Sequence, residues 1–363
     1  MKNTFGSNVA VTLFGESHGE AVGAVLDGVP AGIKIDLELI NRALAKRRGE
    51  AAVSTKRREN DTAKILSGIN NGKTAGTPIC IVIENTDVNS GDYSALADTP
   101  RPGHADYAAY IKYSGFADMR GGGHFSGRLT APLVAAGEIC RQILALKNIK
   151  VITRVKYCGG VNDRDFSDFD ADYTSLLFNA FPVLDDGAAS QMKEKIVAAS
   201  AAGDSIGGIT ETYICGLPAG AGEPWFDSVE SLISHAVFSV PAVKGVEFGA
   251  GFACADMRGS EMNDAYLYEN GTVRTASNNN GGINGGIANG MPVVFRCAVK
   301  PTPSIGVEQN TVNLKTAETV KVKVQGRHDP CIAPRACAAI DALTAVTLCD
   351  LLTQKFGTDW LGE

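Results

Sequence analysis

The 363-residue chain is poor in aromatics (7%), has two tryptophans and five histidines, and carries neither a dominant charge nor a long apolar run. Its 34 Lys and Arg against 40 Asp and Glu leave a formal net charge of −6. That balance speaks against a nucleic-acid coat protein, although a local basic patch can still bind anions. No apolar run approaches the ~18 residues of a spanning helix. The start, Met-Lys-Asn-Thr-Phe-Gly-Ser-Asn, has one basic residue and no apolar core, so it does not read as a signal peptide. The expectation is a cytoplasmic protein without a membrane segment. No two of the nine cysteines have Cys-x2-Cys spacing, and the histidines lack His-x3-His or His-Glu-x-x-His spacing, so metal is not expected. The cysteines read as reduced core residues, where a thiol behaves as a small hydrophobe. Neither Gly-x4-Gly-Lys-Ser/Thr nor Gly-x-Gly-x-x-Gly between strand and helix occurs, which leaves a P-loop kinase or an ordinary NAD dehydrogenase without support.

Glycine, in contrast, is plentiful: 41 residues, clustered at 121–123, 203–208, 216–222 and 281–290. Such clusters suit backbone that approaches a ligand closely or needs positive φ. With 44% hydrophobic residues the chain can bury a sizeable core. Asn8–Phe14 and Ala21–Asp27 read as strands around a tight Gly-Glu-Ser-His-Gly turn. Asp36 begins a helix that ends in Lys46-Arg47-Arg48-Gly49. Helices are expected over Leu129–Lys147, Leu184–Ala201 and Pro334–Gln354, and from Asp227, whose Asp-x-x-Glu is a capping-box variant. Strand-like runs are Ile209–Cys215, Pro292–Val299 and Thr319–Val324, and 85–104 is a long polar loop.

The halves resemble one another. Asp27-Gly-Val-Pro-Ala-Gly32 matches Cys215-Gly-Leu-Pro-Ala-Gly220, and Ser67-Gly-Ile-Asn-Asn-Gly72 matches Gly285-Gly-Ile-Ala-Asn-Gly290. A Gly/Arg/His-rich turn then precedes a long helix in each (123–147 and 326–354). Three matches in one order indicate duplication. The expected architecture is α+β: a pseudo-twofold, internally duplicated sandwich of antiparallel sheets and helices. It forms one domain over 1–363, with halves at about 1–150 and 200–356.

Four histidines, His18, His104, His124 and His328, sit in Gly- or Arg-rich turns, where packing explains them poorly and proton transfer explains them well. His235 falls inside a helix and reads as structural. Arginine recurs beside the loop histidines: Arg101 before His104, Arg120 and Arg128 around His124, and Arg327 before His328. A further basic run holds Lys46, Arg47, Arg48, Lys56, Arg57 and Arg58. Taken alone, that run reads as a solvated face. Convergent guanidinium groups hold carboxylates and phosphates, so the implied ligand is a small multiply anionic molecule. The aromatic interleaving needed for base stacking is absent. Exposed amides and hydroxyls at Gly121–Gly123 with Ser126, Gly281–Gly290 and Lys300-Pro-Thr-Pro-Ser304 suit a phosphate or a cofactor ring.

These segments resemble the chorismate synthase family. The resemblance rests on Phe14-Gly-Glu-Ser-His-Gly19, Asp27–Gly32, Glu84-Asn-Thr-Asp87 with Asp92-Tyr-Ser94, Arg101-Pro-Gly-His-Ala-Asp106 and Arg120-Gly-Gly-Gly123. It continues through Gly203-Asp-Ser-Ile-Gly207, Val243-Lys-Gly-Val-Glu247, Lys300-Pro-Thr302 and Gly326-Arg-His-Asp-Pro-Cys331, in the family's order over nearly the whole chain. It implies anti-1,4 elimination of phosphate from 5-enolpyruvylshikimate 3-phosphate to give chorismate, with reduced FMN required and no net redox change. By the same resemblance His104 attends the departing phosphate, His18 protonates the reduced flavin, and Asp329 relays a proton. Arg47, Arg48, Arg101, Arg128 and Arg327 would grip the substrate. His124, Phe125, Ser126, Ala242, Gly285, Lys300, Pro301, Thr302, Pro303, Ser304 and Arg327 would contact FMN. A homotetramer is implied, and an external flavin reductase, with NADPH as indirect reductant, is preferred over self-reduction. The rival readings are an FMN-dependent oxidoreductase acting on a small anionic substrate, and a phosphosugar- or nucleic-acid-binding module built on the basic clusters.

The sequence also departs from the family pattern. His124 and Phe125 stand where Arg and Ser are usual, Pro241 where Asn is frequent, and Pro303 where Ser is. The stretch between Arg48 and Thr55 is shortened. A histidine at 124 makes the charge there depend on pH.

Overall fold

The computed structural model describes residues 2–50, 53–54, 61–86, 98–269, 271–324 and 328–362. Lys56, Arg57, Arg58, Arg327 and most of the 85–104 loop lie outside them.

Valine, isoleucine and alanine alternate with partly exposed residues along Ala10–Gly15, Ala21–Asp27 and Ile79–Glu84, so each strand presents one face to the interior. They pair antiparallel, with Gly15 opposite Val22 and Ala21 opposite Glu84. Thr4–Phe5 and Lys64–Ile65 complete a five-stranded sheet. A second five-stranded antiparallel sheet contains, in order, Val243–Phe248, Val293–Val299, Gly208–Cys215, Lys150–Cys158 and Val161–Asn162. In each sheet a strand leads through a Gly-x-Pro-Ala-Gly turn to a helix (Leu37–Arg48, then Val229–Val237). A short hairpin (Ile69–Asn70 with Lys73–Thr74, then Ile283–Asn284 with Ile287–Ala288) and a strand beside the first follow.

Between the sheets lie the helices Thr130–Leu146 and Ala333–Phe356. The second is apolar nearly all round and correspondingly buried. Small residues let the two approach closely: a Cβ on Gly137 would fall 2.3 Å from Cβ of Ala342. By length and hydropathy both Gly127–Leu146 and Ala333–Phe356 could cross a bilayer, contrary to the sequence expectation. Their apolar windows are 72% and 94% buried within the protein itself, so their hydropathy is that of a shared core. At the far end of the long helix, Asp350 accepts backbone N–H groups of Ser7, Asn8 and Val9 at 2.9, 2.6 and 3.0 Å, pinning the N-terminal strand to it.

The sequence-read elements are found within a few residues, for example Thr130–Leu146 for 129–147 and Asp186–Ala201 for 184–201. One cap differs. Ser228, not Asp227, caps the helix Val229–Val237, its side chain accepting from Ser231 N–H, while Asp227 closes a preceding 3-10 turn. Of the cysteines, Cys254 is exposed and Cys80 and Cys215 half-buried, so these three are not core residues; all nine are free thiols. The second sheet also buries a charge. Arg154, fully enclosed, donates to Asp163 at 2.6 Å and to Glu211 at 2.6 and 3.1 Å, with its guanidinium over the Phe166 ring.

Candidate active site

A cavity of about 1720 Å³ opens between the Thr4–Phe5 edge of the first sheet, the end of helix Leu37–Arg48, the 121–130 segment and the 300–304 segment. Among the described residues, eight Lys and Arg line it against two carboxylates, Asp61 and Asp329. That imbalance is costly to bury without a ligand and suits a polyanion.

Arg47 occupies the last turn of its helix, where a cation offsets the helix dipole. Its side chain is almost wholly buried. It donates from Nε to Thr130 Oγ1 at 2.8 Å, from NH1 to Asp61 at 2.9 Å and from NH2 to Gly127 O at 2.9 Å. Burial, and then the neighbouring Arg335, pull its pKa down to about 9 against the pull of Asp61, so it stays charged at neutral pH. Arg128 mirrors it. Nε donates to Asn85 Oδ1 at 2.8 Å, NH1 to the other Asp61 oxygen and NH2 to Glu84 O at 3.1 Å. Asp61 therefore bridges both guanidinium groups. With five N–H donors per arginine and at least three engaged in each among the described residues, at most two per residue remain for a ligand.

Arg101 and His104 share Asp106. Arg101 donates to its two oxygens at 2.7 and 2.8 Å, and His104 Nδ1 lies 2.7 Å from Oδ1. Burial works to raise the Asp106 pKa, but hydrogen bonds from Arg101 and His104 outweigh it and hold the carboxyl well below the usual range. The ionised acceptor fixes Nδ1–H on His104 and leaves Nε2 for proton work. The loop is also tied to the 300–304 segment: Lys300 Nζ donates to Gly103 O at 2.6 Å, and Arg101 NH1 lies 3.4 Å from Ser304 Oγ.

The triglycine turn 121–123 has positive φ throughout, at 60, 88 and 52°. A Cβ on Gly121 would strike the His18 ring at 2.4 Å, and one on Gly122 would come within 3.4 Å of His104. The glycines therefore let two histidines approach the same stretch of backbone. His18 is nearly buried behind Gly121 and does not itself line the cavity; Gly121 does. Ser17 N–H donates to Gly123 O at 3.1 Å, and His124 Nδ1 lies 3.0 Å from Gly15 O, which stitches the two turns together. Phe125 sits edge-on to Tyr113, with ring centres 6.2 Å apart.

Asp329 accepts from Ser54 Oγ at 3.0 Å and from Arg335, which also donates from Nε to Arg47 O at 3.0 Å. Ala242 has φ 75°, unusual for a residue with a Cβ, and its carbonyl accepts from Lys300 N–H at 2.9 Å.

His104, His124, Phe125, Ser126, Arg47, Arg48, Arg101, Arg128, Ala242, Lys300, Thr302, Pro303, Ser304 and Asp329 thus converge on one cavity. His328 joins them, and so does His235, which also packs edge-on against Phe5. Gly285 lies instead at the tip of the Ile283–Ala288 hairpin, and Pro301 is not in the wall. Sequence reasoning missed Asp61, Asn85, Asp106 and Arg335. Asn85 and Asp106 stood inside motifs already singled out; Asp61 and Arg335 carried no local signal. A flavin fits these residues: Thr302 Oγ1 is buried without a protein partner among the described residues, in a cavity wall that Lys300 and Ser126 also line.

The chorismate synthase family model matches residues 9–353. A chorismate synthase of Thermococcus kodakarensis is 45% identical over 351 residues, spanning 96% of this chain and 97% of the relative. One of Chitinophaga pinensis is 47% identical over 350 residues, spanning 96% of each. A crystal structure of a chorismate synthase superposes with TM-score 0.77 at 29% identity, covering 98% of this chain and 94% of that one. With its fold and nearly its whole length in common with these proteins, the chain belongs to the chorismate synthase family.

Proposed function

We propose that the residues of this cavity carry the family's reaction, loss of phosphate from 5-enolpyruvylshikimate 3-phosphate to give chorismate, in the following roles. The observation that carries the reading is the set of buried guanidinium groups of Arg47, Arg101 and Arg128 lining one cavity with His104. Arg48, Arg101 and Arg128 hold the carboxylates and phosphate, and Arg47 sets Arg128 through Asp61. His104 donates a proton from Nε2 to the phosphate oxygen as the C–O bond breaks, and Asp106 keeps Nδ1–H in place. His18, behind Gly121, and Asp329, held by Ser54 and Arg335, hold and move protons at the cofactor's side of the cavity.

Reduced FMN, when bound, would supply electron density for the departure of phosphate without net oxidation. His124, Phe125, Ser126, Ala242, Lys300, Thr302, Pro303 and Ser304 would hold it, and Arg327 is proposed for both ligands. NADPH acts only indirectly, through an external flavin reductase. The whole chain acts as one domain, assembled as a homotetramer in the cytoplasm.

The test is an anaerobic incubation with 5-enolpyruvylshikimate 3-phosphate and chemically reduced FMN. Chorismate and phosphate are followed while flavin oxidation is monitored. Equal chorismate and phosphate over many turnovers, with flavin still reduced, support the reading. Flavin or NADPH consumed one for one with product would favour the oxidoreductase alternative.

A further inference from the structure

Asn85 closes the strand Ile79–Glu84, half-buried, beside the cavity's arginines. Both ends of its amide are in use. Nδ2 donates to the carbonyls of Glu16 at 3.0 Å and Gly19 at 2.9 Å, and Oδ1 accepts from Arg128 Nε at 2.8 Å. The orientation is forced, because a guanidinium has no acceptor and a carbonyl no donor. Its backbone N–H adds a bond to Glu20 O at 3.0 Å. An asparagine that merely ended a strand would bond its own neighbours. These partners lie 69 and 66 residues before it and 43 after it. The residues it grips on one side, Glu16 and Gly19, bracket Ser17 and His18; on the other side stands Arg128.

We propose that Asn85 is a positioning residue that sets the His18 turn and Arg128 in register, joining the grip on the anionic substrate to the placement of His18 through one amide. The proposal deepens the functional reading and rests on the roles given there to Arg128 and His18. A rigid planar link, bonded at both ends, transmits a shift of the guanidinium to the turn; a single contiguous chain of hydrogen bonds is enough for that.

Two variants test it. Asn85→Ala removes both halves of the link. Asn85→Asp keeps an oxygen for Arg128 but loses the two donors and faces the Glu16 and Gly19 carbonyls with a carboxylate. The readout besides activity is the His18 ring signal in flavin-free protein with 13Cε1-labelled histidine, of which the chain has five. In the wild type, 5-enolpyruvylshikimate 3-phosphate shifts the His18 signal on binding. In both variants the shift falls at least fivefold at saturating substrate, and kcat with reduced FMN falls about 10- to 100-fold. If Asn85→Ala does not fold, Asn85→Asp decides. An absent wild-type shift, or a shift that persists in the folded variants, overturns the proposal. His18→Ala with wild-type kcat would instead remove the role given to His18, a separate result obtained from a different protein.

Discussion

Asp106 Oδ1 lies 2.7 Å from His104 Nδ1, and the same carboxylate takes three hydrogen bonds from Arg101, two from the guanidinium and one from the backbone N–H. One acid thus fixes the tautomer of the candidate proton donor and the fork of an arginine proposed to grip the substrate. Asp106→Asn keeps the shape but removes the charge that selects Nδ1–H. The expected loss in kcat is on the order of 10²–10⁴-fold, as when the orienting acid of a catalytic histidine is neutralised, with a smaller rise in KM from the loosened Arg101. Steady-state kinetics on the two proteins check it; an unchanged kcat removes the role.

The same residue gives a pH prediction. Its carboxyl is held below its ordinary value, so the folded state binds the proton more weakly than the unfolded chain. Its stabilising contribution is therefore fully present above the ordinary aspartate value, about 4, and is lost as pH falls below it. The thermal midpoint should decline toward acid more shallowly in Asp106→Asn than in the wild type. Parallel curves between neutral pH and pH 3 would contradict this assignment.

Gly121 has φ 60°, and its missing Cβ leaves room for the His18 ring. Gly121→Ala combines left-handed strain of roughly 1–2 kcal/mol with displacement of that ring. Activity should drop more than stability does, because a side chain moves more easily than the backbone. A melt and a kcat measured on the same preparation separate the two.

His124 places Nδ1 on the Gly15 carbonyl, so Nε2 is the nitrogen left to meet a ligand in the cavity. A guanidinium at this place brings a fixed charge and several donors, so His124→Arg should tighten FMN binding several-fold. An unchanged FMN dissociation constant by fluorescence titration would remove His124 from the cofactor's contacts.

Arg154 is enclosed with Asp163 and Glu211 in the second sheet. Arg154→Met leaves Asp163 without its cation and Glu211 with Arg296 NH1 at 3.6 Å, and breaking a buried pair typically costs about 3–5 kcal/mol. Adding Asp163→Asn and Glu211→Gln should recover part of that loss. Chemical denaturation of the single and triple variants measures it, and a triple variant no more stable than the single one would speak against an electrostatic origin.

Much of the fold was legible in the chain because its signals are local. Asp36 and Gly49 bound the first helix, as their capping and positive-φ preferences require. The two-residue period marks the strands, and apolar runs mark the two central helices. Where the reading slipped, a neighbour competed: Ser228 outbid Asp227 for the cap because its hydroxyl reaches Ser231 N–H. The histidines and arginines were identified from their glycine-rich surroundings, a chemical signal that does not depend on where the chain goes.

The sequence by itself determined the elements, the clusters of basic residues and the family, since each is written in residue type and spacing over short distances. Only the tertiary structure decided which donor meets which acceptor. Asp61 between Arg47 and Arg128, Asn85 between Arg128 and the His18 turn, and Arg335 between Asp329 and Arg47 join positions separated by 6 to 288 residues, most of them far apart in the chain. Such pairings have no periodicity to read. They exist because two sheets packed on a shared helical core bring loops from across the chain to one cavity, and a charge buried there takes whichever partner the packing supplies.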